Sequence, residues 1–292
     1  MQIHVDILNA FTKNGQGGNP AGVVIGIEGK TLSEADMLSV AKQVNLSETA
    51  FVGISDKADF RVRFFTPTDE LDLCGHATIA AWTQLFHKGI IKPGKYTQEI
   101  QAGILQVNVL PDGRVIMDQT LPKFKKEIDE TQIAEILGIP VAWIRNTKHT
   151  PQVVSTGLND LLIPLDTREH LFAIQLNDDK ISRFEKENGL DSFHLFTLDA
   201  LEKNSIANSR SADPLHGIHE ESATGSAHGA LACYLFQKRI ITVEKAMEGL
   251  VFEQGYSMQR PSEIFVRLDT QDGEITKVQV GGFAAITGVK EI

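Results

Sequence analysis

Two short segments place small and polar residues where apolar helices begin. Cys74-Gly75-His76 opens one predicted helix, and Thr224-Gly225-Ser226 opens another. The first backbone N–H groups of a helix lack partners and carry partial positive charge, and glycine lets a ligand approach them closely. If two such helix starts face each other across a cleft, they are expected to bind a carboxylate without any arginine. The alternative is simple helix capping, with glycine chosen for a tight turn.

Glu48 and His76 are the candidate proton-transfer groups. Glu48 lies within Leu46–Phe51 (LSETAF) at the start of an apolar run, where burial predicts a raised pKa suited to a general base near neutral pH. The alternative is an exposed carboxylate at a strand end. At a helix start the imidazolium form of His76 is disfavoured, which predicts a neutral donor or acceptor. A histidine in an apolar helix is otherwise structural.

Several motifs for bound cofactors and nucleophiles fail on spacing. Gly29-Lys30-Thr31 resembles the end of a phosphate loop, but Val24 occupies the position of the required glycine. The glycines of Asn14–Gly22 do not fit a dinucleotide fingerprint. Ser226 has Thr224 two positions before it, where a nucleophile elbow needs glycine. We therefore expect no cofactor.

We also expect no metal. Five clustered side chains could ligate a metal ion, but none has the spacing of a metalloprotease helix. They are His216, His219, Glu220, Glu221 and His228. The two cysteines, Cys74 and Cys233, cannot form a four-thiolate zinc site.

Charge and hydropathy exclude broad classes of partner. The 292 residues carry 28 basic and 38 acidic side chains, a formal net charge of −10. Nucleic acids and anionic membranes need a basic surface, so neither is an expected partner. No stretch approaches the roughly 18 apolar residues of a spanning helix, and the N-terminus lacks the features of a signal peptide. With only two cysteines, a reduced cytoplasmic protein is expected.

Periodicity predicts more strands than helices, in two similar halves. Aligning Cys74–Phe86 with residues 224–236 matches five residues at an offset of 150 positions; the alternative is chance similarity of two core helices. Shorter amphipathic helices are predicted at Ser33–Val44, stopping at Asn45, and at Glu130–Leu137. The predicted strands are Ile3–Phe11, Ala50–Val52, Phe60–Phe65, Val153–Leu165, Ser192–Leu198, Ile264–Leu268 and Val278–Val289, the last of which is broken by glycines. Helices and strands do not alternate regularly, which predicts an α+β fold.

Four segments in this order resemble the PhzF-like, phenazine-biosynthesis-protein family. They are Gly18–Gly22 (GNPAG), Ser47–Phe51 (SETAF), Cys74–Thr78 (CGHAT) and Glu220–Ala227 (EESATGSA). The resemblance implies the diaminopimelate epimerase-like fold, in which two pseudo-symmetric lobes each wrap a β-barrel-like sheet around a central buried helix. It places the lobes at residues 1–120 and 121–282, with a strand at about 283–292 rejoining the first, and the site in the cleft between them.

The resemblance also implies roles for individual residues. Glu48 is implied as the acid–base residue, with His76, Glu221 and Ser226 in the same catalytic set. Glu221 replaces the usual aspartate and Ser222 the usual proline, so the reach of Glu221 toward His76 differs by a methylene. The residues expected to bind substrate are Asn19, Ser47, Gly75, Thr224 and Gly225.

These observations predict a cofactor-independent isomerase that transfers a proton at carbon on a small anionic carboxylate substrate. One alternative is an amino-acid epimerase or racemase using Cys74 and a non-thiol partner, because Thr224 stands where sister epimerases have a second cysteine. Another is a non-catalytic small-acid binding protein, since a fold does not imply a function. The resemblance implies a homodimer.

Overall fold

The computed structural model describes residues 2–26 and 32–292, so Gly29-Lys30-Thr31 lies outside the described residues. The chain forms an α+β fold, as predicted, and divides into two compact units. Unit 1 comprises Met1–Asp118 and Gly281–Ile292, and unit 2 comprises Gln119–Val280. Among the described residues, no helix combines the length and apolar character needed to cross a membrane.

Unit 1 contains a strand ladder and two helices. Its strands are β1 (His4–Ala10), β2 (Asn19–Ile25), β3 (Glu48–Gly53), β4 (Phe60–Phe65), β5 (Glu70–Leu71), β6 (Gly94–Ile100), β7 (Gly103–Val109), β8 (Val115–Gln119, which crosses the unit boundary) and, from the C-terminus, β18 (Ala284–Glu291). Its helices are α1 (Glu34–Val44) and α2 (Gly75–His87). β18 pairs with β1, and the ladder continues through β2, β3, β4, β6, β7 and β8. The β2–β3 and β4–β6 pairs are parallel.

Unit 2 repeats this arrangement. Its strands are β9 (Lys123–Glu127), β10 (Gln152–Ser155), β11 (Asn159–Leu165), β12 (Ser192–Thr197), β13 (Asn208–Asp213), β14 (Ile218–Glu221), β15 (Leu250–Gln254), β16 (Ser262–Gln271) and β17 (Glu274–Gly282). Its helices are α3 (Glu130–Leu137), α4 (Ala142–Arg145), α5 (Arg168–Ala173), α6 (Asp178–Asn188), α7 (Gly225–Gln237) and α8 (Val243–Glu248). The ladder runs β9, β10, β11, β12, β13, β15, β16, with parallel pairs at β11–β12 and β13–β15. The order of parallel and antiparallel pairs matches that of β18 to β7 in unit 1, which confirms the predicted repeat.

A buried helix lies inside each ladder, as predicted. Every residue of α2 from His76 to Leu85 is buried, and so is every residue of α7 from Ala227 to Leu235. α2 contacts β1, β2, β3, β7 and β18, whereas α7 contacts β10, β11 and β16. A helix that is apolar all round must bury all its faces, and the curved ladder provides the apolar wall.

Local signals set the ends of the surface helices. Ser33 caps α1 in a capping box with Asp36, and Asn45 ends the helix in the left-handed conformation. Asp129 caps α3, and Gly138 ends it in the left-handed conformation. These helix boundaries confirm the prediction.

Two predicted strands are wrong, because each segment divides into two strands. The Val153–Leu165 segment turns at Gly157, whose φ of 147° is rarely open to other residues, and forms β10 and β11. The Val278–Val289 segment divides at Phe283 into β17 and β18. Apolar patterning alone does not show where such a segment divides into two strands.

Candidate active site

In unit 1 the structure brings Glu48, His76 and Cys74 together. His76 Nε2 lies 3.0 Å from Glu48 Oε2, and His76 Nδ1 lies 3.6 Å from Cys74 Sγ. The imidazole therefore connects the carboxylate to the thiol through its two ring nitrogens. All three residues are buried, which excludes the alternative that Glu48 is an exposed carboxylate at a strand end.

The strand register explains how these residues meet. Asn45 ends α1, and the chain enters β3 at Glu48, which pairs with Ala21 of the parallel strand β2. β3 packs against α2, which begins at Gly75 immediately after Cys74. The first residue of the strand thus lies beside the first turn of the helix, where Glu48 reaches His76.

Two opposing effects act on the Glu48 carboxylate. Burial raises the pKa of Glu48, but the charge of His76 and hydrogen bonds from His76 and Ser47 lower it more, so the net shift is downward. The expected raised pKa is therefore wrong, because sequence patterning indicated the burial but not the cation. Glu48 is ionised at neutral pH.

The expected neutral form of His76 is also wrong. Burial lowers the pKa of His76, but electrostatic interactions with Cys74 and Glu48 and hydrogen bonds with both raise it well above its usual range. Burial raises the pKa of the Cys74 thiol, which therefore stays protonated at neutral pH. The Glu48 carboxylate is then the anion that sustains the imidazolium, against the opposing field of the helix.

This cluster is also the group of described residues that could hold a metal ion. The candidate ligand atoms of Glu48, Cys74 and His76 all lie within 4.8 Å of one another. However, His76 uses Nε2 toward the carboxylate and Nδ1 toward the thiol, whereas a metal ion would bind one nitrogen and displace a proton. The arrangement therefore favours a proton-transfer chain.

The two central helices begin without a side-chain cap, a feature that they share only with the short α4 among the α-helices of the described residues. In α1, α3, α5, α6 and α8 the N-cap side chain accepts a hydrogen bond from the first turn. Neither Cys74 at α2 nor Thr224 at α7 does so. Gly75 and Gly225 do not have positive φ values either. Side-chain capping and tight turns thus do not explain these segments, and an anion can use their first N–H groups.

In unit 2, Glu221 and Thr224 form their own hydrogen-bonded group. The Thr224 hydroxyl donates a short hydrogen bond to Glu221 Oε2. Gln254, at the end of β15, donates from Nε2 to the Glu221 carbonyl (2.6 Å) and accepts from the Thr224 N–H (3.1 Å). This group fixes the chain just before Gly225, and Ser226 follows it half-buried in the first turn of α7.

The remaining predicted binding residues lie near these groups. Asn19 is buried and begins β2, two positions before the Ala21 that pairs with Glu48. Ser47 is exposed and directly precedes Glu48, to which it donates a hydrogen bond. Gln254 was not predicted, because a glutamine at a strand end carries no sequence signal of its own.

The five clustered candidates for a metal site are engaged separately. His216 contacts Asp213, His219 contacts Asp178, and Glu220 forms an ion pair with Arg210. Glu221 accepts from Thr224, and His228 Nδ1 donates to the Thr224 carbonyl. These side chains do not converge on one point.

Known proteins with similar sequences or folds align with nearly the full length of this chain. An uncharacterized isomerase of Clostridium acetobutylicum is 30% identical, with 98% of this chain and 96% of that protein aligned. A PhzF-family phenazine biosynthesis protein of Bacillus anthracis has the same fold, with a TM-score of 0.89, 27% identity and coverage of 100% and 99%. A hydroxyproline epimerase of Agrobacterium vitis shares the fold at 12% identity, a TM-score of 0.64 and coverage of 100% and 92%.

The family model described as phenazine biosynthesis-like protein matches residues 8–288. That range contains Glu48, His76 and both uncapped helix starts. The chain therefore belongs to the PhzF family of phenazine biosynthesis-like proteins, whose curated relatives include proteins named as isomerases.

Proposed function

We propose that the protein is a cofactor-independent isomerase that moves a proton between carbons of a small, cyclic or allylic carboxylic acid. The observation that carries the proposal is the buried Glu48–His76 ion pair at the uncapped start of α2. It combines an ionised base with donors for an anion in one place. Relatives named as isomerases support the same reaction class.

In the proposed reaction, a Glu48 oxygen accepts a proton from a carbon of the substrate. The electron pair left by the broken C–H bond delocalises toward the substrate carboxylate, and Glu48 becomes a neutral acid. It then returns the proton to a different carbon, so the product is an isomer and no oxidant or reductant is needed. General acid–base catalysis by one positioned group contributes roughly 10²–10⁴-fold.

Other groups in unit 1 would stabilise the charge that develops on the substrate. The N–H groups of Gly75 and His76 begin α2 and have no capping side chain, so they can donate to carboxylate oxygens. The His76 imidazolium adds a positive charge beside Glu48. Preorganised donors of this kind lower the barrier because they need no reorganisation as charge forms.

Unit 2 has its own candidate binding residues at the start of α7. Ser226 has a hydroxyl in the first turn of α7, and Glu221 is held by Thr224 and Gln254. The longer side chain of Glu221, compared with the aspartate usual at this position, reaches the Thr224 hydroxyl of the same unit. We propose that these residues position the substrate, so their loss should raise KM more than it lowers kcat.

The state of Cys74 bears on the thiol-based alternative. An epimerase that used Cys74 would need its thiolate, whereas burial raises the pKa of this thiol. Thr224, at the matching position of the repeat, supplies no second thiol. These features favour Glu48 over Cys74 as the base.

Deuterium uptake tests the proposal. The protein would be incubated in heavy water with a panel of small unsaturated and hydroxy carboxylic acids, and products would be examined by mass spectrometry. Glu48→Gln should lower uptake by at least about 10²-fold. Exposed Glu135→Gln is the matched control and should retain wild-type uptake. Cys74→Ala should retain most of it.

Each contrary outcome has a distinct meaning. Normal uptake by Glu48→Gln would remove Glu48 as the base. Loss of uptake in Cys74→Ala alone would favour the epimerase alternative. Binding of acids, detected as thermal stabilisation without any uptake, would indicate the non-catalytic binding protein.

A further inference from the structure

Unit 2 contains a buried carboxyl group, that of Asp160, in the strand pair that corresponds to the one containing Glu48 in unit 1. In unit 1 the first residue of β3, Glu48, pairs with Ala21 of the parallel strand β2. In unit 2 the first residue of β12, Ser192, pairs with Asp160 of the parallel strand β11. Because the two ladders have the same order, Ser192 corresponds to Glu48 and Asp160 to Ala21. In unit 2 the carboxyl group of this pair therefore lies on the neighbouring strand, β11.

Asp160 is held within the unit rather than at its surface. The residue is 1% exposed, and the Ser192 hydroxyl donates to Asp160 Oδ1 at 2.7 Å. Among the described residues, Asp160 Oδ2 has no hydrogen-bond partner. A carboxyl group with one hydrogen bond and no cation pays a large desolvation penalty when it ionises.

Ring contacts locate Asp160 along α7. Phe196 of β12 contacts Tyr234 at 5.8 Å between ring centroids, and His194 contacts His228 at 4.7 Å. Residues two apart on a strand share a face, so Ser192 lies on this face, about 7 Å before His194. A helix rises 1.5 Å per residue, which puts Ser192 and its partner Asp160 level with about residue 224. The direct contact of Glu48 with the first turn of α2 supports this position.

The charged groups around Asp160 are acidic. Asp191 before β12, Asp213 at the end of β13 and Glu221 at the end of β14 all act on it electrostatically. The histidines on the facing elements do not neutralise this charge, because His194 and His228 are buried with lowered pKa values. His216 lies against Asp213. Burial, and to a lesser degree these anions, raise the pKa of Asp160 to about 8.

We propose that Asp160 is a positioning residue that stays uncharged so that a substrate carboxylate can bind at the start of α7. The inference rests on the proposed function for the identity of the substrate. Ionised Asp160 would add a buried negative charge beside the first N–H groups of α7 and would repel the carboxylate. The residue acts through this field and does not touch the substrate.

A pair of ligands separates this effect from a structural one. Cyclohex-1-ene-1-carboxylate carries the charge that Asp160 would repel, whereas cyclohex-1-ene-1-carboxamide has nearly the same shape and no charge. Binding of each would be measured by calorimetry to the full-length wild-type, Asp160→Asn and Ser192→Ala proteins, between about pH 6.5 and about pH 9.5, where Asp160 loses its proton.

The expected result is a loss of carboxylate affinity at high pH that depends on Asp160. With an Asp160 pKa of about 8, wild-type Kd should rise up to about 30-fold across this range. Asp160→Asn keeps an uncharged side chain of the same shape and should remove this rise. Ser192→Ala removes a bond that favours the ionised form, so the rise should move to higher pH. Carboxamide binding should show no such rise.

Three outcomes would overturn the inference. The first is an unchanged alkaline rise in Asp160→Asn, or in Ser192→Ala if the asparagine variant does not fold. The second is an equal rise for the carboxamide. The third is absence of carboxylate binding to the wild type at the acidic end. Failure of the proposed function is read separately, as absence of Glu48-dependent deuterium uptake with any acid in the panel.

Discussion

At the scale of single residues, the charge state of Glu48 depends on His76. Burial alone would keep a carboxyl group protonated, but the imidazolium 3.0 Å away reverses the net shift. The imidazolium in turn persists at a helix start because the carboxylate offsets both burial and the helix field. Each group therefore favours the charged form of the other.

His76→Asn tests this dependence. Without the cation, burial would raise the pKa of Glu48, so the ionised base would appear only at higher pH. We expect the acidic limb of the pH profile of kcat/KM for deuterium uptake to move to higher pH. His87→Asn, at the end of α2, is the matched control. An acidic limb that stays at its wild-type position would contradict the mutual dependence.

The same variant should also change stability in a defined pH window. The lowered pKa of Glu48 stabilises the fold above its unfolded value of 4.5, and the raised pKa of His76 does so below its unfolded value of 6.5. The pair therefore contributes most between these values. It loses this contribution as pH falls through the folded pKa of Glu48 or rises through that of His76. Removing one partner of a buried pair costs about 3–5 kcal/mol, measurable by urea unfolding.

The sequence identified these side chains but not their charges. Residue type and spacing led to Glu48, His76 and the two glycine steps, all of which lie at strand or helix starts in the structure. The raised pKa of Glu48 and the neutral His76 were wrong, because each depends on a contact between residues 28 positions apart. Asp160 was missed for a similar reason, since its setting depends on Ser192 across a strand pair.

At the scale of elements, glycine at the start of α2 serves neither packing nor backbone conformation. A Cβ atom added to Gly75 would lie 3.7 Å from the methyl group of Met117, an ordinary contact. Its φ is not positive, and alanine is the better helix former. The folded protein alone would accept alanine there, so the open backbone is available for a ligand.

Gly75→Ala should therefore separate stability from binding. We expect an unchanged or higher melting temperature, because alanine gains up to about 1 kcal/mol over glycine in a helix. We also expect about a tenfold or greater rise in Kd for cyclohex-1-ene-1-carboxylate, because the methyl group blocks the first N–H groups. Gly288→Ala, where nothing lies within 4 Å, is the control. Unchanged affinity in Gly75→Ala would remove the start of α2 as the anion site.

Elements with a strong local signal were predicted closely. Glu130–Leu137 and Phe60–Phe65 have the predicted bounds, because caps and apolar alternation act within a few residues. The Val153–Leu165 and Val278–Val289 segments were each predicted as one strand, whereas the structure divides the first at Gly157 and the second at Phe283, because apolar patterning does not mark such a division. β6 and β7 were not predicted, because their partly exposed residues lack the apolar pattern on which the strand predictions relied.

At the scale of the whole molecule, the repeat distributes charge unequally between its two copies. In unit 1 the buried carboxylate of Glu48 has a cation, and its pKa is lowered. In unit 2 the buried carboxyl groups lie near one another, and burial raises the pKa of Asp160 to about 8 and of Glu185 to about 7. A carboxyl group with a lowered pKa is ionised and can accept a proton, whereas one with a raised pKa stays protonated and can donate one. Unit 1 therefore holds the ionised carboxylate of the Glu48–His76 pair, whereas in unit 2 Asp160 and Glu185 keep their protons to higher pH, unlike Glu220, which pairs with Arg210.

This asymmetry predicts that unit 2 limits stability at alkaline pH. Glu185 of α6 is fully buried, and its Oε2 accepts a hydrogen bond from the Leu215 N–H at 3.1 Å. A raised carboxyl pKa means that the folded state holds a proton that the unfolded state releases. Stability thus falls as pH rises from the ordinary value of 4.5 to about 7, and the loss is complete above that.

Glu185→Gln should relieve this loss, because the amide keeps the acceptor for Leu215 and cannot ionise. We expect its melting temperature to exceed that of the wild type by several degrees at about pH 8.5, and by less at about pH 4.5, where the wild-type carboxyl group is protonated when folded. Exposed Glu135→Gln should show no such dependence. Scanning calorimetry at both pH values decides the matter. An equal difference at the two values would mean that Glu185 ionises without cost, and that the protonated carboxyl groups of unit 2 do not set its alkaline stability.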